Sequence, residues 1–408
     1  MNILMLSSTF PYPPTRGGTQ VRTFNLLKYL SERHSITLIT QRSPDVTDQE
    51  VEALQDTVSK LMVFPRPTSV SSGWINKLRR FGTSLAQATP QNVLHLYSPL
   101  IQAQVDQLVS QGECEVITCE HSINEIYVRP PFQEKVRTVV NIHSSVYGSC
   151  RDQLASGTSE NTLRDRINLP LLYRYEQRYT AKFSQLVVTT EEDRQQMQTF
   201  RPDGSIAVIP NGVDLERFPC RLGDPGGHRL VFVGAMDNVA NIDAVRFLTL
   251  EIFPAVRQRY PDTELFLVGA RPIPEIQAFN QQPGVTVTGQ VPSMAEYLHR
   301  ATICMVPMRT GYGIKNKTLE AMAAGVPVIA SDRGLEGLAV DGPGVPLRAL
   351  RASTVEEYVT AIDRLFADPE LRATLSLNGR SLIESDYTWE TAGQRYEAAL
   401  MAQEITSQ

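Results

Sequence analysis

The densest run of chemically competent side chains lies between residues 303 and 330. It reads Ile303-Cys304-Met305-Val306-Pro307-Met308-Arg309-Thr310-Gly311-Tyr312-Gly313-Ile314-Lys315-Asn316-Lys317-Thr318-Leu319-Glu320-Ala321-Met322-Ala323-Ala324-Gly325-Val326-Pro327-Val328-Ile329-Ala330. An apolar run feeds a glycine-bearing loop and then a helical pattern. Gly325 stands where a helix C-cap is expected, and Pro327 enters the next strand. Exposed amides at the helix start, with Arg309, Lys315 and Lys317 around them, form an anion cradle suited to a diphosphate. Glu320 lies one turn further in, where a carboxylate accepts hydrogen bonds from a ribose diol. The plainer reading is an amphipathic helix with solvated lysines. Four such residues on one strand–loop–helix unit weigh against it.

Three weaker signals accompany this segment. The pair Gly17-Gly18 opens a helix after a proline-stiffened loop and lets a phosphate approach the backbone, although an ordinary helix start explains it equally. It is neither a G-x-G-x-x-G fingerprint nor a loop of the Lys-Ser/Thr type. His121 and His143 each follow an apolar run. A lone histidine is more often a structural hydrogen-bonder, but two at equivalent strand ends point to a cleft, and neither has companions at metal spacing. The stretch Trp74-Ile75-Asn76-Lys77-Leu78-Arg79-Arg80-Phe81 is basic and aromatic. It reads as a surface helix with snorkelling stems, or as an interfacial segment meeting anionic lipid or a lipid-carried acceptor.

These residues need a scaffold, and the chain supplies one. It has 408 residues, 42% hydrophobic, with 39 Lys+Arg against 44 Asp+Glu and a net charge of −5. That length suits two domains, and the acidic balance argues against a general nucleic-acid binder. Residues 1–215 carry equal numbers of basic and acidic side chains, so the whole net charge sits in residues 216–408. Five scattered cysteines read as reduced thiols of a cytosolic protein. The opening Met1-Asn2-Ile3-Leu4-Met5-Leu6 reads as a first strand rather than a signal peptide, and no apolar stretch approaches membrane-spanning length.

Apolar runs predict strands at 3–6, 36–40, 116–119, 136–142, 186–189, 206–209, 230–233, 264–268, 285–288, 303–306 and 326–330. Many are apolar on both faces, as parallel strands covered by helices are. Helical patterns at 21–31, 241–260 and 317–324 alternate with them. The expectation is an α/β chain of two doubly wound parallel sheets, with ligands at the carboxyl ends of the strands in a cleft where the sheets face. The break falls between Ile209 and Arg229, where Pro210-Asn211-Gly212 signals a turn.

The whole pattern resembles a GT-B fold retaining glycosyltransferase of the group 1/family 4 type, nearest to sugar transferases of bacterial exopolysaccharide systems. The resemblance rests on Gly17-Gly18 with Arg22, on Glu120-His121-Ser122, on Asn141-Ile142-His143, and on Val208-Ile209-Pro210-Asn211-Gly212-Val213-Asp214. It continues through Val233-Gly234, Gly289-Gln290-Val291, Leu319-Glu320-Ala321-Met322-Ala323 and Tyr387-Thr388-Trp389-Glu390. It implies two Rossmann-like domains, at 1–215 on the acceptor side and 216–385 on the donor side, and a C-terminal helix, 386–408, crossing back to the first.

The resemblance also implies site residues. Glu320 would bind the ribose. Gly313, Ile314, Lys315, Asn316, Lys317 and Thr318, with Arg309, would hold the diphosphate. Main chain near Val291 would read the base. Gly17, Gly18, Asn211, Gly234 and His121 would complete the donor site, and His143, Lys317 and Glu320 would form the catalytic set. Two departures stand out. The family's Arg and Lys after the first C-terminal strand would fall near Ala235 and Ala240, and its upstream glutamate is replaced by Tyr312.

The implied activity is transfer, with retention, of a sugar from a UDP- or GDP-sugar to a glycan or lipid-linked hydroxyl in polysaccharide or glycoconjugate synthesis. No metal and no tightly bound cofactor are expected. The implied place is the cytoplasm, with peripheral contact at the inner membrane face through Trp74–Phe81. The alternatives are a nucleotide-sugar epimerase of the same fold, which would isomerise donor without acceptor, and a non-catalytic nucleotide-sugar-binding protein, which would bind donor without turnover.

Overall fold

The computed structural model describes residues 1–14, 16–67, 89–155, 159, 161–311 and 313–402. The stretch Trp74–Phe81 and Tyr312 therefore lie outside the described residues. The chain forms two compact units, one of residues 1–209 with 393–408 and one of residues 210–392.

The first unit holds a seven-stranded sheet of β1 (Asn2–Ser7), β2 (Ser35–Arg42), β3 (Lys60–Pro65), β4 (Val116–Glu120), β5 (Arg137–Asn141), β6 (Gln185–Val188) and β7 (Ile206–Val208). The order is β3-β2-β1-β4-β5-β6-β7, and β1 runs parallel to both neighbours, with Ile3 beside Ile36 and Val116. Every residue of β4 is buried, as helices on both faces require. The strand order reverses between β1 and β4, the place where open α/β sheets bind ligands. Residues 393–402 pack into this unit. A Cβ on Gly393 would fall 2.2 Å from Cγ of Tyr29, so only glycine permits that approach.

The second unit holds a six-stranded sheet of β8 (Arg229–Val233), β9 (Glu264–Val268), β10 (Val285–Gly289), β11 (Ile303–Val306), β12 (Val328–Ala330) and β13 (Leu350–Arg351). Its order is β10-β9-β8-β11-β12-β13, with the reversal between β8 and β11. All four residues of β11 are buried. The helix Asn316–Ala323 follows β11 and buries Leu319, Ala321, Met322 and Ala323 against the core.

Two edge strands, β3 and β13, escape the apolar-run reading. β3 is partly exposed and bounded by Lys60 and Pro65, while β13 is only two residues long. The helix expected over 241–260 is three pieces instead. Val239–Phe247 is α-helical, Leu248–Ile252 is a π turn, and Phe253–Arg259 is α-helical again. Pro254 explains the interruption, because it lacks the amide that would continue the hydrogen-bond ladder. The helix expected from Val21 starts earlier, at Gly18.

Candidate functional site

In the second unit, the groups of interest gather where β8 and β11 end. Lys317, in the first turn of its helix, reaches across to the end of β8. Its ammonium donates to Asn241 Oδ1 and stands 4.4 Å from the Phe232 ring centroid and 3.6 Å from Met308 Sδ. Asn241 Nδ2 in turn donates to the Ala235 carbonyl at 2.8 Å. Gly234 has φ +154, and a Cβ there would lie 2.8 Å from Asn241 Nδ2 and 3.2 Å from Lys317 Nζ, so glycine makes room for the ammonium. Burial lowers the Lys317 pKa to about 7, and nearby Lys315 acts in the same direction. Among the described residues Lys317 makes no ion pair.

Glu320 lies one turn further along, half-buried, with burial raising its pKa while Arg217 and Lys317 pull it down. Its carboxylate accepts no side-chain or backbone hydrogen bond from the described residues.

Two of the three expected phosphate cations are committed elsewhere. Arg309 forks onto Asp243, with Nη2 at 2.6 Å and Nε at 3.0 Å, and lies over the Phe247 ring. Lys315 turns inward. Its ammonium donates to the Gly313 carbonyl and sits 3.3 Å from Glu336, which Arg333 also meets at 3.2 Å. A bidentate pair and a buried pair both cancel charge locally, so Lys315 staples the glycine loop and Arg309 fastens it to the neighbouring helix. Of the three cations expected around the helix start, Lys317 is the one that makes no ion pair among the described residues.

The remaining expected residues are positioned by ordinary bonds. Thr318 Oγ1 donates to the Gly334 carbonyl at 2.8 Å, and Asn316 Oδ1 accepts from Asn211 Nδ2 at 2.9 Å. Gly313 and Ile314 are buried in the loop, and Val291 is half-buried after β10. A Cβ on Gly311 would come 3.4 Å from Cβ of Ala240, so the small side chain at 240 lets the loop close against the helix Val239–Phe247.

In the first unit, His121 and His143 follow the adjacent strands β4 and β5, and their ring centroids are 4.9 Å apart. His121 Nδ1 accepts from the Ile123 amide at 3.3 Å, and burial lowers its pKa to about 4. Burial, His121 and Arg22 hold His143 well below the ordinary imidazole value, so both rings are neutral near pH 7. His143 Nε2 is buried and has no hydrogen-bond partner among the described residues. His121 has φ +88, a strained conformation for a non-glycine residue. Asn124 holds it there, donating to the His121 carbonyl from its amide at 3.1 Å and to the Glu120 carbonyl from Nδ2 at 2.8 Å. Asn124 Oδ1 accepts from Ser8 Oγ at 2.6 Å, tying β1 to the same place.

Beneath the histidines lies a buried polar network. Arg22 is 1% exposed and donates to Asn141 Oδ1 at 3.1 Å and the Ile209 carbonyl at 2.9 Å. Glu120 accepts from Tyr396 Oη at 2.5 Å, Thr118 Oγ1 at 3.1 Å and Asn141 Nδ2 at 3.1 Å, and burial raises its pKa. Gly17 caps the helix Gly18–Ser31 without a side-chain bond, and the space beside Gly18 is open.

Asn241, Asn124 and Tyr396 carry much of this geometry and were not singled out by sequence reasoning. The sole hint was the position of Asn241 beside the missing cation at Ala240. Among the described residues no group of three or more His, Cys, Asp and Glu side chains is arranged to hold a metal ion, and no helix is long and apolar enough to cross a membrane.

Comparison with known proteins adds the family. Residues 16–217 match the family described as Glycosyltransferase Family 4, and residues 227–368 match Glycosyl transferases group 1. A GDP-mannose-dependent alpha-(1-6)-phosphatidylinositol monomannoside mannosyltransferase from Mycolicibacterium smegmatis is 28% identical over 226 residues. That alignment covers 48% of this chain and 56% of the relative, so the chain spans little more than half that relative's length. Among solved structures, a sucrose-phosphate synthase from Thermosynechococcus elongatus is similar at TM-score 0.69 and 21% identity, over 97% of this chain and 98% of that one. HepE from Anabaena, solved in complex with UDP, is similar at TM-score 0.66 and 14% identity, over 98% of this chain and 99% of that one. HepE has also been solved with UDP-glucose. With its two parallel-sheet α/β units, the chain belongs to the glycosyltransferases of GT-B fold, carrying a family 4 domain followed by a group 1 domain.

Proposed function

We propose that the chain transfers a sugar from a nucleotide-diphosphate sugar to an acceptor hydroxyl, with retention, in the assembly of a polysaccharide or glycoconjugate. One observation carries the donor assignment. At the β8/β11 reversal, an ammonium that makes no ion pair and a carboxylate that accepts no hydrogen bond among the described residues stand one helical turn apart on one helix, just past its amide-rich start. That spacing suits a diphosphate on Lys317 and the amides, with the ribose hydroxyls on Glu320. The UDP and UDP-glucose complexes of HepE and the GDP-mannose dependence named for the mycobacterial relative support a nucleotide sugar as donor.

In the proposed reaction the acceptor oxygen bonds to the anomeric carbon as the bond to the β-phosphate oxygen breaks. Both events occur on one face of the sugar, and the acceptor proton passes to the departing phosphate. The leaving diphosphate gains negative charge as it departs. Lys317 and the helix amides meet that charge in the transition state, which is the main source of acceleration. His143, the histidine expected in the catalytic set, is neutral near pH 7. Lys317 substitutes for the two basic side chains that Ala235 and Ala240 lack, since its ammonium lies beside Gly234 and Asn241.

A binding panel of UDP- and GDP-sugars identifies the donor, and NMR of the product then reads the anomeric configuration. A retained anomer is expected, and an inverted one overturns the mechanism.

A further inference from the structure

A buried carboxylate lies just behind the loop that carries His143. Glu176, on the helix Thr162–Thr180, is 1% exposed. It accepts from Ser145 Oγ at 2.7 Å, from the Val146 amide at 2.6 Å and from the Tyr147 amide at 3.3 Å. Ser145 Oγ also accepts from the Gly148 amide at 2.8 Å, so serine and glutamate together close the start of the helix Val146–Ala155. A Cβ on Gly148 would press within 3.2 Å of Ser145 Cβ, which leaves that turn little slack. Upstream, the Ile142 amide donates to the Val187 carbonyl at 2.7 Å. His143 and Ser144 are thus the short span between two fixed points, the sheet on one side and the Ser145–Glu176 clamp on the other.

We propose that Glu176 is a positioning residue: as a carboxylate it clamps the backbone that aims His143, and turnover depends on that clamp being ionised. The inference rests on the proposed transferase reading only for its kinetic consequence.

The surroundings of Glu176 make ionisation the controlling variable. Burial raises its pKa to about 7 against the three hydrogen bonds that favour the anion. The groups facing it are few. Tyr175 and Tyr179 share its helix and stay protonated, their phenols pushed far up by burial. On the neighbouring 3-10 turn, Glu125 is held by Lys182. On the helix Val146–Ala155, Arg151 pairs with Asp152 at 2.8 Å. None of these supplies a compensating charge to Glu176 itself. As pH falls through about 7 the carboxylate takes a proton, and the bonds it accepts from the Val146 and Tyr147 amides on Oε1 and from Ser145 Oγ on Oε2 lose their charge assistance, which loosens the clamp.

The sign separates this effect from the other groups. His121 is neutral above about pH 4, and burial beside His121 and Arg22 holds His143 well below the ordinary imidazole value, so neither titrates near 7. Lys317 titrates near 7 in the opposite sense, losing charge as pH rises, and acts on donor binding.

The test uses the full chain with Glu176→Gln and, independently, Ser145→Ala. In the wild type, kcat falls as pH drops from about 8 to about 6, while KM for the donor does not rise over that range. Glu176→Gln is expected to bind nucleoside diphosphate as the wild type does. Its kcat should be about tenfold lower at pH 8, the scale of a misaimed contact, and flat down to pH 6. Ser145→Ala keeps the carboxylate and is expected to keep the acid limb at a reduced kcat. Hydrogen exchange at the Val146 and Tyr147 amides gives a readout that needs no turnover: protection falls below about pH 7 in the wild type and is independent of pH in Glu176→Gln. An acid limb that survives in folded Glu176→Gln, or exchange whose pH dependence is the same in both proteins, overturns the proposal. Loss of the transferase reading alone would leave the exchange result standing.

Discussion

Replacing Lys317 with methionine removes one charge and keeps most of the side-chain volume. The ammonium donates to Asn241 Oδ1 and otherwise touches Met308 Sδ and the face of Phe232, so no carboxylate competes for it. A hydrogen bond to a charged partner contributes about 1.5–3 kcal/mol, which corresponds to about a 10- to 150-fold weaker Kd for UDP or GDP. Calorimetric titration near pH 6.5, where the lysine is charged, reads this directly. The wild-type affinity should also fall as pH rises through about 7, because the free protein loses the ammonium there, and Lys317→Met should lack that limb. Stability moves the other way. A lysine whose folded pKa lies below its ordinary value costs the folded state most at low pH. Lys317→Met should therefore be at least as stable as the wild type near pH 6, with the difference shrinking toward pH 10. A folded Lys317→Met that binds UDP and GDP with unchanged Kd and unchanged pH dependence would refute the assignment of phosphate charge to this residue.

Three further outcomes follow from the same geometry. Glu320→Ala should weaken nucleoside diphosphate by about 1–3 kcal/mol while leaving inorganic pyrophosphate affinity unchanged, because only the ribose contact is lost. Gly234→Ala should weaken both ligands about as much as Lys317→Met, since the added Cβ would meet Lys317 Nζ at 3.2 Å and Asn241 Nδ2 at 2.8 Å. Tyr396→Phe deletes the 2.5 Å bond to buried Glu120, which should lower unfolding stability by about 1–3 kcal/mol and Tm by about 2–4 °C per kcal/mol in a thermal melt.

The parts legible in the sequence are those in which one local pattern decides the outcome. Ile303–Val306 is apolar at every position and becomes a strand buried at every position. The glycine loop, the helix over Asn316–Ala323 and the carboxylate of Glu320 on it follow from neighbours in the chain. What the sequence conceals is the choice of partner across the fold. Lys315 and Lys317 look equivalent, yet Lys315 is the extended residue before the helix and Lys317 lies in its first turn. One points toward Glu336, 21 residues on, and the other toward Asn241, 76 residues back. Arg309 meets Asp243, 66 residues away, and no spacing rule announces that pair. The Glu176 clamp is hidden for the same reason, its acceptor being 30 residues from the Val146 amide.

The account turns on where the donor diphosphate sits, and a structure of the chain soaked with UDP or GDP measures that most directly. The result it predicts has a phosphate oxygen within hydrogen-bond distance of Lys317 Nζ and of the helix-start amides, and the ribose hydroxyls on Glu320. A diphosphate bound away from the ends of β8 and β11, or a nucleotide with its ribose clear of Glu320, would contradict it.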